Sequence, residues 1–227
     1  MACLGIDTSG GTLSVGISTG GKILAERTTH GNQSHSVVIL SEIEALLDES
    51  GVSRSQVTLI SVTGGPGRYT ALRVGMATAK GLAFAWNVPL VRVSTLEAMA
   101  ASLLPIEGPV ATILDARRRL VYFALFEARR GELTRLSEDQ ALAYDDAAAL
   151  LPDSVLLTGD GSDLVTPYAL EKGVTFAARQ CMIKGSIVAR IGKAAYGSHG
   201  INEILEGPTY IRKVEIHGHG FHDNPNG

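Results

Sequence analysis

The chain opens with short apolar runs separated by glycine turns. Residues 3–7 (Cys-Leu-Gly-Ile-Asp) form an apolar run that ends in Thr8-Ser9-Gly10-Gly11, the pattern of a strand entering a turn. Residues 13–18 alternate apolar with small polar side chains, which suits a half-buried strand. Gly20-Gly21 then leads into residues 22–28, and a Gly-Gly pair between two such runs predicts a hairpin. The first thirty residues therefore read as a three-strand meander.

The period then changes. Ile39, Ile43, Leu46 and Leu47 recur at helical spacing, with Ser34 or Ser36 available as N-cap and Gly51 as stop. A strand at residues 57–62 runs into Gly64-Gly65-Pro66-Gly67-Arg68, followed by a helix over residues 70–86 with Thr70 as N-cap. A strand at 89–93 and a helix at 95–104 follow. Around Pro105 to Pro109 the pattern restarts. Residues 110–115 and 120–128 read as paired strands joined through Ala116-Arg117-Arg118-Arg119, with a third strand at 131–136. A helix at 145–151, a strand at 155–158 and a helix at 183–196 complete the prediction. A meander followed by alternating helix and strand thus occurs twice, giving an α/β chain of two lobes, each a mixed sheet covered by helices. The expected limits are residues 1–106 and 107–215, with a flexible tail at 216–227.

Composition narrows the classes of function. Of 227 residues, 45% are hydrophobic and 19% charged, which excludes a disordered chain. Lys and Arg number 20 against 23 Asp and Glu, a formal charge of -3, so a self-sufficient nucleic-acid binder is disfavoured. Cys3 and Cys181 cannot supply a zinc knuckle or a disulfide framework. With no leader pattern and no apolar run near the roughly 20 residues of a membrane span, a cytoplasmic protein is expected.

Candidate chemistry is concentrated in four places. Asp7-Thr8-Ser9 sets a carboxylate and two hydroxyls beside flexible backbone, which serves either to cradle phosphate and organise magnesium or simply to make an Asx turn. Gly65-Pro66-Gly67-Arg68 is either an anion-binding loop at a helix N-terminus or a rigid strand-to-helix turn. Ala71, Gly75, Ala79 and Ala83 fall at four-residue spacing, a small-residue face for close approach of this chain's own elements or of a partner's helix. Asp115-Ala116-Arg117-Arg118-Arg119 could grip an anion or be a solvated turn. His30 and His35 lack the spacing of a helical metal pair, and His217, His219 and His222 lie in a glycine-rich solvated tail. No Gly-x-Ser-x-Gly elbow and no P-loop occurs.

Taken in order, these blocks resemble the TsaB (YeaZ) family. The resemblance is carried by Ile6-Asp7-Thr8-Ser9, His35-Ser36, and Gly65-Pro66-Gly67-Arg68-Tyr69-Thr70-Ala71-Leu72-Arg73-Val74-Gly75. It continues through Ala77-Thr78-Ala79-Lys80-Gly81-Leu82-Ala83, resumes at Asp115-Ala116-Arg117-Arg118 with Val121-Tyr122, and ends near Pro208-Thr209-Tyr210-Ile211-Arg212. Arg68-Tyr69 stands where the family usually has Ser-Phe, and Ala71 where it often has Gly.

The resemblance implies a two-lobed actin-like ATPase (ASKHA) fold with a reduced second lobe. It also implies a non-catalytic scaffold or activator subunit of the complex, with TsaD and TsaE, in which TsaD transfers threonylcarbamoyl to the adenosine beside the tRNA anticodon. In that reading the chain has no catalytic residue, metal or cofactor of its own, and ATP or ADP can bind at the interface of the complex. It meets tRNA only through that complex and can form a homodimer when alone. TsaD would dock on the first two helices through Ile39, Ile43, Leu46, Ala71, Gly75, Ala79 and Ala83. The alternative is a stand-alone ATPase or phosphotransferase of the same fold, using Asp7 with Gly159-Asp160-Gly161 as an adenosine loop.

Overall fold

The computed structural model describes residues 2–30 and 35–199, together with Ile211. The Pro208–Arg212 block apart from Ile211, the tail from 216 and its three histidines lie outside the described residues.

The meander forms as predicted. Strands β1 (Ala2–Asp7), β2 (Leu13–Thr19) and β3 (Lys22–Thr29) pair antiparallel. The β2–β3 turn is made by Gly20 and Gly21, whose φ of 55° and 83° define the left-handed turn that matches strand twist. Helix α1 (His35–Ser50) returns the chain to β4 (Val57–Gly65), which lies parallel to β1. Helix α2 (Tyr69–Trp86) leads likewise to β5 (Leu90–Ser94), and the first sheet has the order β3-β2-β1-β4-β5. Helix α2 begins one residue early. Its N-cap position is Arg68, with no side-chain cap, in place of the expected Thr70.

Helix α3 (Thr95–Ala101) is capped by Ser94, whose hydroxyl accepts from the Glu97 N–H. It carries the chain into a second sheet built from β6 (Gly108–Arg117), β7 (Leu120–Arg129), β8 (Glu132–Arg135), β9 (Gln140–Ala143), β10 (Ser154–Thr158) and β11 (Thr175–Ala178). The order is β11-β10-β6-β7-β8, with β9 also paired to β7. Helices α4 (Tyr144–Ala149) and α5 (Ser162–Glu171) cover one face through Ala147, Ala148, Val165 and Ala169 against Ile113, Val121 and Phe123. The opposite face packs on α3, through Leu96, Ala100 and Leu103 against Val110, Ala124 and Phe126.

The last helix, α6 (Gly185–His199), corrects the expected lobe division. It follows the second sheet in sequence yet crosses back to cover the first sheet, on the face opposite α1 and α2. The strand β1 is consequently buried on both faces: Leu4 and Ile6 meet Ile39, Ile43, Leu46 and Met76, while Cys3 meets Ala189. The approach is unusually close. A Cβ on Gly16 would lie 2.7 Å from the Ser186 Cα and 2.8 Å from the Gly185 carbonyl carbon, and one on Gly5 would strike Gly185 and Ala189 backbone. Only hydrogen fits between these backbones.

Glu26 fixes the start of that helix. Its Oε1 accepts from the Gly185 N–H (2.8 Å) and the Ser14 hydroxyl (2.6 Å), and its Oε2 from the Ser186 N–H (2.9 Å). A carboxylate at a helix N-terminus satisfies otherwise unpaired donors and complements the dipole. One residue of β3 thereby ties the end of the chain to its beginning.

Candidate functional site

A cleft of about 200 Å³ opens between the two sheets, where the sequence-derived candidates meet. Asp7, Ser9, Gly10, Gly11, Gly67 and Arg68 line one side, and Asp115, Tyr122, Gly159 and Asp160 the other. The end of β1 and the loop before α2 are held together: the Arg68 N–H donates to the Ser9 carbonyl (2.9 Å).

The polar groups of the Asp7-Thr8-Ser9 turn are turned inward to the fold. Asp7 is 2% exposed, and its Oδ1 accepts from the Ser9 N–H (3.1 Å), the Ser9 hydroxyl (2.7 Å) and the Thr63 hydroxyl (2.7 Å). Burial pushes the Asp7 carboxyl above its ordinary pKa, outweighing those hydrogen bonds and the nearby charge of His35. The Thr8 hydroxyl donates to the Ala71 carbonyl on α2 (2.8 Å). Asp7, Thr8 and Ser9 thus join β1, β4 and α2, with the Asp7 carboxylate closing an Asx turn on the Ser9 N–H. Gly159 and Gly161 are likewise packing residues. The Gly161 N–H donates to the Ile113 carbonyl (3.0 Å), and a Cβ on Gly161 would lie 2.7 Å from the Leu114 carbonyl carbon.

Among the described residues, no group of three His, Cys, Asp or Glu side chains is arranged to hold a metal ion. Both cysteines are unpaired with each other, and burial pushes the Cys3 thiol up to about 11. No described helix is long and apolar enough to cross a membrane.

The expected partner face needs the larger correction. Ile39, Ile43, Leu46, Gly75, Ala79 and Ala83 are buried within this chain, and Ala71 is half-buried over Thr8. They form the face of α1 and α2 that covers the first sheet, and a Cβ at Gly75 would strike the Thr8 hydroxyl and lie 3.2 Å from the Thr8 Cβ. The outward face is offset by two residues. On α2 it carries Arg73, Ala77, Gly81, Phe84 and Ala85, and on α1 Val37, Leu40, Ser41 and Glu44, all exposed. Phe84 is 84% exposed, Val37 74% and Leu40 55%. Sequence spacing located these helices and their small-residue face but selected the inner side. Phe84 was detectable in the sequence as the large apolar residue of α2 that falls off the buried repeat.

Comparison with known proteins identifies this architecture. The family model of TsaD, tRNA N6-adenosine threonylcarbamoyltransferase, matches residues 22–185. The tRNA threonylcarbamoyladenosine biosynthesis protein TsaB of Bacillus subtilis is 31% identical over 224 residues, covering 95% of this chain and 96% of that protein. The chain belongs to the TsaB (YeaZ) family. YeaZ from Pseudomonas aeruginosa superposes with a TM-score of 0.76 at 24% identity, over 92% of this chain and 99% of that one. The chain shares with YeaZ the fold described above, two mixed sheets flanked by helices. Similarity extends to a tRNA N6-adenosine threonylcarbamoyltransferase of Streptococcus sanguinis, 36% identical over 127 residues but covering only 37% of that protein.

Proposed function

We propose that this TsaB-family chain is a non-catalytic accessory subunit in the formation of threonylcarbamoyladenosine on tRNA, docking on a TsaD-type transferase through the outward face of α1 and α2. The observation that carries this reading is that exposed face, which presents Val37 and Leu40 on α1 and Phe84 on α2 together with the small residues Ala77 and Gly81. Burying a side chain of the size of Val, Leu or Phe is worth about 1.5–3 kcal/mol, so covering three such residues provides a substantial drive for association. Gly81 and Ala77, one turn apart on α2, let a facing helix come close. A TsaD-type partner is favoured because this chain and the transferases share sequence over their common region. TsaE joins the pair in this reading, and ATP or ADP binds at the joint surface. Isolated chains cover the same face with a second copy.

A stand-alone ATPase of the same fold is the weaker reading. It asks Asp7 to act on phosphate, whereas three donors already converge on its Oδ1. The experiment is co-purification with the cognate TsaD-type protein. Phe84→Asp and Leu40→Asp should abolish the complex while leaving the melting temperature of the isolated chain unchanged. Retention of the complex by both variants would exclude this face.

A further inference from the structure

The β6–β7 turn carries Arg117, Arg118 and Arg119 in succession, all exposed, with φ of 62°, 54° and 61°. Three consecutive L-residues are in the left-handed region, which Gly or Asn adopts at far lower cost. The turn is also held rigidly. The Asp115 carboxylate accepts from the Arg117 N–H (2.7 Å) and pairs with its guanidinium (2.9 Å), while the Asp115 N–H donates to the Asp160 carboxylate (3.0 Å). Across the cleft, exposed Arg68 stands on the wall opposite Asp115. Arg68 lines the cleft, and the three arginines of the turn follow directly on Asp115, which lines its other wall, in a chain whose formal charge is -3. Asp115 and Asp160, the carboxylates of the cleft wall beside the turn, are engaged in holding it.

A strained turn that keeps arginine where glycine would fit better, and that is braced in position, has the attributes of a recognition site. Guanidinium matches phosphate with paired donors, and a convex tip suits a long phosphate backbone better than a small anion, which would be enclosed. We infer that the Arg117-Arg118-Arg119 turn, with Arg68, contacts the phosphate backbone of tRNA directly. This rests on the reading of the chain as a tRNA-modification subunit, and it revises the expectation that tRNA is met only through the partner.

The test uses the full-length chain, alone and with its TsaD-type partner, and a fluorescent tRNA transcript titrated by anisotropy at several salt concentrations. The variant is Arg118→Gly/Arg119→Gly, which leaves the Arg117–Asp115 pair intact. The unaltered chain should bind weakly and lose affinity with salt, and the variant's log–log salt slope should be shallower by roughly 1.4–1.8, at about 0.7–0.9 for each of two phosphate contacts. The variant should melt no lower than the unaltered chain, because glycine relieves the turn, so a loss of binding cannot be ascribed to misfolding. An unchanged slope, or no binding by the unaltered chain at low salt, overturns the inference. Loss of the partner protein with an unchanged tRNA slope also overturns it and places a protein on this patch. A chain that shows the predicted slope but fails to join the partner upholds the inference and counts against the docking proposal alone.

Discussion

Replacing Gly16 by Ala tests the tightest contact in the fold. The new methyl group would lie 2.7 Å from the Ser186 Cα and 2.8 Å from the Gly185 carbonyl carbon, and nearer still to the Ser186 nitrogen. All three neighbours are backbone, so no side chain can swing aside. Ordinary contact needs about 3.5 Å, so α6 must retreat by roughly 1 Å. Overpacking of this kind costs about 1–3 kcal/mol. The retreat also stretches the bonds from the Gly185 and Ser186 N–H groups to Glu26, now 2.8 and 2.9 Å, and bonds to a charged group are worth about 1.5–3 kcal/mol each. Weakening both bonds by half brings the total to about 2.5–6 kcal/mol, which at about 2–4 °C per kcal/mol lowers the melting temperature by roughly 5–24 °C. Thermal unfolding by circular dichroism reads the shift. Gly81→Ala is the control, since nothing lies within 4 Å of its added Cβ, and it should raise stability by about 0.5–1 kcal/mol. A Gly16→Ala protein melting within 2 °C of the unaltered chain, on the scale of about 2–4 °C per kcal/mol, would refute the close-packing argument.

Three further outcomes are expected. Glu26→Gln keeps the shape at the start of α6 but removes the charge, and should cost about 1–2 kcal/mol, read as a lower urea midpoint. Asp7→Asn should be as stable as the unaltered chain at pH 4 and more stable at pH 7. The raised carboxyl pKa means that the folded state binds more protons, so Asp7 penalises stability progressively as pH rises through the ordinary aspartate value to the raised one; equal melting temperatures at both pH values would contradict this. Gly75→Leu should destabilise the isolated chain itself, because its side chain meets Thr8, and a soluble variant with unchanged melting but impaired partner binding would restore Gly75 to the outward face.

The sequence was informative where local chemistry decides structure. The Gly20-Gly21 hairpin, the helix at α1 and the β6–β7 pair follow from turn residues and period alone. It was poor where tertiary context decides. Helix α5 contains Pro167, which interrupts the helical signal, and β11 is a largely exposed four-residue edge strand with no alternation to detect. The interlobe crossing of α6 depends on Gly5, Gly16 and Glu26, each unremarkable in its own segment. The small-residue repeat of α2 posed a different difficulty. Ala71-Gly75-Ala79-Ala83 and Ala77-Gly81-Ala85 both satisfy a four-residue spacing, and only packing against Thr8, Ile39 and Ile43 distinguishes the inner face from the outer. The Asp7-Thr8-Ser9 turn was legible as a turn at a strand end, but its hydrogen-bond partners Thr63 and Ala71 lie far along the chain.

The central claim is that this chain activates a partner and performs no transfer itself. Its most direct test is threonylcarbamoyl incorporation into tRNA by the cognate TsaD-type and TsaE-type proteins, with ATP and threonylcarbamoyl adenylate supplied, in the presence and absence of this chain. The account predicts that incorporation requires the chain, that Phe84→Asp abolishes the stimulation, and that Asp7→Asn retains it. Incorporation at the same rate without the chain, or its loss in Asp7→Asn while Phe84→Asp remains active, would contradict the account.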